Sequence, residues 1–146
     1  MKVEIHSREE LEKMSKKPFR NHTSIISITD TDDVLVRLIN KPKHILRLQF
    51  DDIYISELDE TDYTDFPFKL FDDKMAEKIV DFVYKYKDET DLLICQCEFG
   101  ESRSSAVAAA ILENFHENGN GIFSNKKYCP NLYVYKILMK KFNEKI

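Results

Sequence analysis

A chain of 146 residues and 17.3 kDa, 42% hydrophobic and 33% charged, has the balance of a folded globular protein and not of a disordered one. With 22 basic against 26 acidic residues the net charge is −4, which argues against a general binder of nucleic acid or of an anionic membrane. No apolar run approaches the ~20 residues that span a bilayer, residues 1–10 are charged, unlike a secretory signal, and three cysteines make no disulfide framework. The expectation is a single domain over residues 1–146 in a reducing cytoplasm.

Residues 2–5 read as a short strand, and Ser7 followed by Glu10 is a capping box that opens a helix through Met14. Residues 24–28 are rich in β-branched side chains and run into the turn-prone stretch 30–33, which predicts a second strand. Residues 34–39 fit a short helix and a short strand equally. In 45–50, Leu46, Leu48 and Phe50 alternate with Arg47 and Gln49, a third strand with one face more buried. Residues 51–66 carry the carboxylates Asp51, Asp52, Glu57, Asp59, Glu60, Asp62 and Asp65 among aromatics and read mainly as loop. Phe71, Met75, Ile79, Phe82, Val83 and Tyr86 recur at helical spacing and predict an amphipathic helix over 69–86. A compact apolar strand follows at 92–96, then a helix over 104–115 that is nearly unbroken Ala, Val, Ile and Leu, hence buried on most sides. Residues 118–121 stop that helix, and 132–142 form a closing one. Strands separated by helices predict an α/β fold with a central, largely parallel sheet flanked by helices. Ligands of such sheets sit at the carboxyl ends of the strands. Two segments arrive there with chemistry to offer, 50–52 and 97–103.

The second of these places Cys97 and Arg103, with five residues between them, after an apolar strand and before a helix. Five residues let the backbone curl so that successive N–H groups point at one oxyanion, and Gly100 eases the curvature. Glu98, Phe99, Gly100, Glu101 and Ser102 would line that cradle, and Arg103 supplies a planar fork that grips two phosphoryl oxygens. The positive end of the following helix favours a bound dianion and a thiolate, which would place Cys97 for in-line attack on phosphorus. Ser104 would hydrogen-bond the sulfur and improve it as a leaving group.

Cys97 through Ser104, with the run Ala106, Val107, Ala108, Ala109 and Ala110 behind it, resembles the active-site segment of the cysteine-dependent protein tyrosine and dual-specificity phosphatases, above all their small microbial members of the dual-specificity type. The order of strand, Asp loop, helix, strand, Cys loop and helix over 45–115 is similar as well. The motif lies well inside the chain, unlike that of the low-molecular-weight phosphatases. The resemblance implies a phospho-cysteine intermediate with no metal or organic cofactor, and phosphotyrosine as substrate, extending to phosphoserine or phosphothreonine. It also implies an Asp general acid just after the third strand. Asp52 follows Phe50 by two, in phase with the strand's buried side, and is the first choice, with Asp51 in reserve. Asp59, Asp62 and Asp65 would qualify only if their loop folds back. One departure is Gln96, where the family usually has a His that orders the loop.

Partners on this reading are a phosphorylated protein or small phosphomonoester, with no nucleic acid and no membrane. Tyr54, Tyr63 and Phe66 would wall a cleft for an aromatic ring. Cys95 is expected in the core, its nearness to Cys97 permitting a redox role, and Cys129 in a loop or helix start. His6, His22, His44 and His116 are scattered, so no metal site is expected. Two rival functions remain: a pseudophosphatase that binds phospho-residues with negligible turnover, kept alive by Gln96, and a sulfur-transferring or arsenate-reducing enzyme. The latter normally needs a resolving cysteine.

Overall fold

Four stretches of β-branched and apolar residues form one sheet in the computed structural model, which describes residues 1–53 and 68–145. They are β1 (Lys2–His6), β2 (Thr23–Thr29), β3 (His44–Gln49) and β4 (Leu92–Gln96), and every pairing is parallel, in the order β1-β4-β2-β3. β2 lies inside the sheet and is buried along its whole length, which is why Thr23–Thr29 carries hydrophobic residues of both phases.

The helices are α1 (Arg8–Met14), α2 (Asp73–Tyr86), α3 (Arg103–His116), the single turn α4 (Asn120–Phe123) and α5 (Leu132–Glu144). Strand alternation divides the core between the two faces of the sheet. Ile26, Ile28, Leu48, Leu93 and Cys95 pack with α2, α3 and α5, while Ile25 and Ile94 pack with Leu11 of α1 and with Val36. The capping box at Ser7 and Glu10 forms as the sequence predicts, each side chain taking the other residue's backbone N–H. The α/β fold with a parallel sheet is as expected, and the sheet is parallel throughout.

Three local expectations are corrected. The helix placed over 69–86 begins only at Asp73, because the Asp72 carboxylate accepts the Met75 N–H and caps it there. Phe71 sits before that cap, packed on Phe50 with ring centroids 4.9 Å apart, so its helical phase is incidental. Residues 34–39 are neither helix nor strand; the segment is pinned through the carbonyls of Leu35 and Val36 by the guanidinium groups of Arg8 and Arg47. Residues 118–121 do not simply end a helix. Glu117 stops α3 in the left-handed region at φ 56°, and α4 then makes a further turn. Glu57, Asp59, Glu60, Asp62 and Asp65, with Tyr54, Tyr63 and Phe66, lie outside the described residues. Among the described residues no helix is long and apolar enough to cross a membrane.

Candidate active site

Parallel pairing brings the carboxyl ends of all four strands to one edge of the sheet, and the loop 97–102 leaves β4 there to enter α3 at Arg103. Its carbonyls turn outward: that of Glu98 accepts the Arg8 N–H, that of Glu101 the Cys129 N–H, and that of Ser102 the Asn131 N–H. In a trans peptide the next N–H points the opposite way, so the amides of Phe99, Ser102 and Arg103 turn inward. Among the described residues the amides of 98–101 donate to no protein group. Gly100 has φ +68° and lies so close to the end of β1 that a Cβ there would stand 2.8 Å from Ser7 N and 2.9 Å from the His6 carbonyl carbon. Only glycine meets both demands. Phe99 is exposed at the loop's outer rim.

Cys97 is buried, and its Sγ lies 3.0 Å from Ser104 Oγ in the first turn of α3. Arg103 is 4% exposed. One terminal nitrogen, Nη1, donates to the Phe50 carbonyl at 2.8 Å and pairs with Asp30 Oδ1 at 2.7 Å. Its Nε is buried and has no hydrogen-bond partner among the described residues. A buried donor left in that state costs about 1–3 kcal/mol, and an oxyanion held by the loop would satisfy it. Asp30, Asp33 and Glu98 bring carboxylate oxygens within 4.8 Å of one another, balanced by Arg103 and by Arg8, which lies 3.7 Å from Asp33 and 3.8 Å from Glu98.

The two aspartates after β3 are held in different ways. Asp51 Oδ1 accepts the Thr31 N–H, and its Oδ2 accepts the Thr31 hydroxyl and the Lys69 N–H. Burial pushes the Asp51 carboxyl up, but the amides of Lys69 and Thr31, the Thr31 hydroxyl and the charge of Arg103 outweigh it and hold the group below the usual carboxylate range. A carboxylate that accepts three hydrogen bonds has no proton to give. Asp52 is exposed, and its Oδ1 accepts the Ser102 hydroxyl at 2.8 Å and the Asn131 side-chain amide at 2.8 Å. Asp52 is therefore the aspartate tied directly to the loop.

Gln96 takes the Ser27 hydroxyl on its Oε1 at 2.5 Å, so its amide oxygen is engaged by the neighbouring strand and not by the loop backbone. Cys95 is wholly buried; burial, with Cys97 adding to it, pushes the Cys95 thiol far above its ordinary value. Its burial also keeps it out of contact with solvent. Cys129 is exposed, in the stretch before α5, and its N–H ties that stretch to the loop.

Three contributors escape a reading of the sequence: Asp30, Arg8 and Asn131. Each belongs to a different segment and acts on the loop only after the sheet has formed. Asn131 carries a weak local signal, since Asn directly before an apolar helical run is a good N-cap.

No protein-family profile and no curated protein matches the chain. Among solved structures it is similar to PTPMT1 in complex with PI(5)P, at 15% identity and a TM-score of 0.58, covering 98% of this chain and 91% of that one. It is also similar to the human tyrosine phosphatase-like serine/threonine/tyrosine-interacting protein, at 14% identity and a TM-score of 0.60 over 98% and 92% of the two chains. Tk-PTP in its active form matches at 14% identity and a TM-score of 0.56 over 100% and 94%. The chain has the fold of the dual-specificity and protein tyrosine phosphatases.

Proposed function

We propose that the protein hydrolyses phosphate monoesters through a phospho-cysteine intermediate. The observation that carries this reading is the loop itself: a cysteine sulfur on a serine hydroxyl at 3.0 Å, inward-turned amides, and a buried arginine with an unsatisfied Nε. In the first step the Cys97 thiolate attacks phosphorus, the S–P bond forms as the ester P–O bond breaks, and Asp52 gives its proton to the departing oxygen. In the second, water attacks phosphorus, Asp52 takes its proton, and the S–P bond breaks while the Ser104 hydroxyl hydrogen-bonds the sulfur. The inward amides of Phe99, Ser102 and Arg103 and the Arg103 guanidinium hold the phosphoryl oxygens throughout. The steps call for no metal and no organic cofactor.

The acidic surroundings narrow the substrate. Asp30, Asp33, Glu98 and Asp52 stand around the loop against the two cations Arg8 and Arg103. A second phosphate on the same molecule would be repelled by them, whereas a lone phosphate would be held by the loop. PI(5)P is the ligand of PTPMT1; for this chain the charge pattern favours a phosphorylated tyrosine, serine or threonine of a protein, or a small phosphomonoester.

The test is hydrolysis of an aryl phosphate with and without a chelator. Turnover should be indifferent to the chelator, abolished in Cys97→Ser, and severely reduced in Arg103→Lys, whose point charge cannot replace a fork. Retained hydrolysis in Cys97→Ser would eliminate the covalent route. Binding of a phosphotyrosine peptide by the unaltered chain with no turnover would instead establish the pseudophosphatase.

A further inference from the structure

We infer that Asn131 is a positioning residue for proton transfer: its side-chain amide fixes one oxygen of Asp52, so that the catalytic proton is carried on the other. The inference rests on the proposed function. Asn131 is completely buried, immediately before α5. Its Oδ1 accepts the Val134 N–H at 3.2 Å and caps that helix, while its Nδ2 donates to Asp52 Oδ1 at 2.8 Å and to the Ile53 carbonyl at 3.1 Å. The orientation of the amide follows from its partners. Turned over, it would set an NH2 against the Val134 N–H and an oxygen against two acceptors. The backbone N–H of the same residue donates to the Ser102 carbonyl at 3.1 Å. One buried residue therefore joins α5, the loop after β3 and the phosphate loop.

The consequence for Asp52 is chemical. Ser102 Oγ also donates to Oδ1, so that oxygen faces two donors, while among the described residues none donates to Oδ2. The Ser102 hydroxyl could turn to accept a proton on Oδ1, but the Asn131 NH2 can only donate and would meet it head-on, so Asn131 directs the proton to Oδ2. Asp52 is exposed, so without an anchor its carboxyl would turn freely and present the proton in many directions. A helix cap alone does not require asparagine, since serine and aspartate cap as well. A serine hydroxyl would have to accept and donate through one short-armed oxygen, whereas the amide carries its acceptor and its two donors on separate atoms and reaches the Val134 N–H, Asp52 and the Ile53 carbonyl at once.

The experiment compares two esters, phenyl phosphate, whose leaving group needs a proton, and an aryl phosphate with an acidic phenol, which does not. The unaltered protein and Asp52→Asn are measured first, then Asn131→Ser and Asn131→Asp, both of which keep a capping oxygen; thermal denaturation confirms folding. Asn131→Ser should lower kcat on phenyl phosphate by ~10-fold or more, a part of the ~10²–10⁴-fold that a general acid supplies. Its loss on the activated ester should be much smaller, and Asn131→Asp, which sets an acceptor against Asp52, should be worse on phenyl phosphate. In Asp52→Asn, adding Asn131→Ser should cost nothing further. Equal losses on both esters, or additive losses in the double variant, would overturn the inference and leave the phosphatase reading standing. No turnover by the unaltered protein, or full activity of Asp52→Asn on phenyl phosphate, would overturn that reading and this inference with it.

Discussion

Asp51 and Asp52 are adjacent and chemically identical, yet their surroundings divide them into a staple and, on the proposed function, a proton carrier. Strand phase singles out Asp52 from the sequence alone. What the sequence does not show is that Asp51 is occupied by three hydrogen bonds, because Thr31 and Lys69 reach it from loops on either side. The staple has a pH signature. A carboxyl held below its unfolded value stabilises the fold above about pH 4, and that contribution is lost as pH falls through the lower folded value. Asp51→Asn should therefore lower Tm at pH 7 by a few degrees, with the gap to the unaltered protein narrowing as the solution is acidified below about pH 4. A gap constant from pH 7 to pH 3 would show that the charge on Asp51 contributes nothing to stability.

At the scale of elements, local signals were the most legible. The alternation of β3, the capping box of α1 and the alanine run of α3 each carry their own chemistry in adjacent residues. Periodicity sets the start of α2 too early because Phe71 keeps helical phase while serving as a loop anchor, and phase cannot distinguish the two. The loop from Cys97 to Arg103 is legible as a motif, but its tolerance is not. Gly100 is required both by its φ and by the backbone of His6 and Ser7 above it. Gly100→Ala would carry ~1–2 kcal/mol of left-handed strain, and a methyl against main-chain atoms that cannot swing aside. Both Tm and aryl phosphate turnover should fall. Unchanged turnover would mean that the loop does not depend on its contact with β1.

At the scale of the whole molecule, strand order was the least legible feature. Periodicity gives strands and their faces, but nothing local says that β1 lies against β4 and not against β2. The same holds for the site, whose aspartates, cysteine, arginine and asparagine come from four separate segments. The resemblance carried by Cys97–Ser104 supplied the fold that periodicity could not order, and the solved structures of that fold agree with it.

The register of β1 has a temporal consequence. Lys2 pairs with Leu92 and His6 with Gln96, so the backbone that abuts Gly100 comes from the opposite end of a long loop closure. Closing such loops is entropically slow, whereas helices such as α2 and α3 form from neighbours. A chain diluted from denaturant should regain its far-ultraviolet helical signal before it regains turnover, and competence to bind oxyanions should arrive with turnover and not with helix. Simultaneous recovery of all three would show that docking of the first strand is not the late event. During that interval the molecule would contain a helical shell around a cysteine that has not yet been given its surrounding loop.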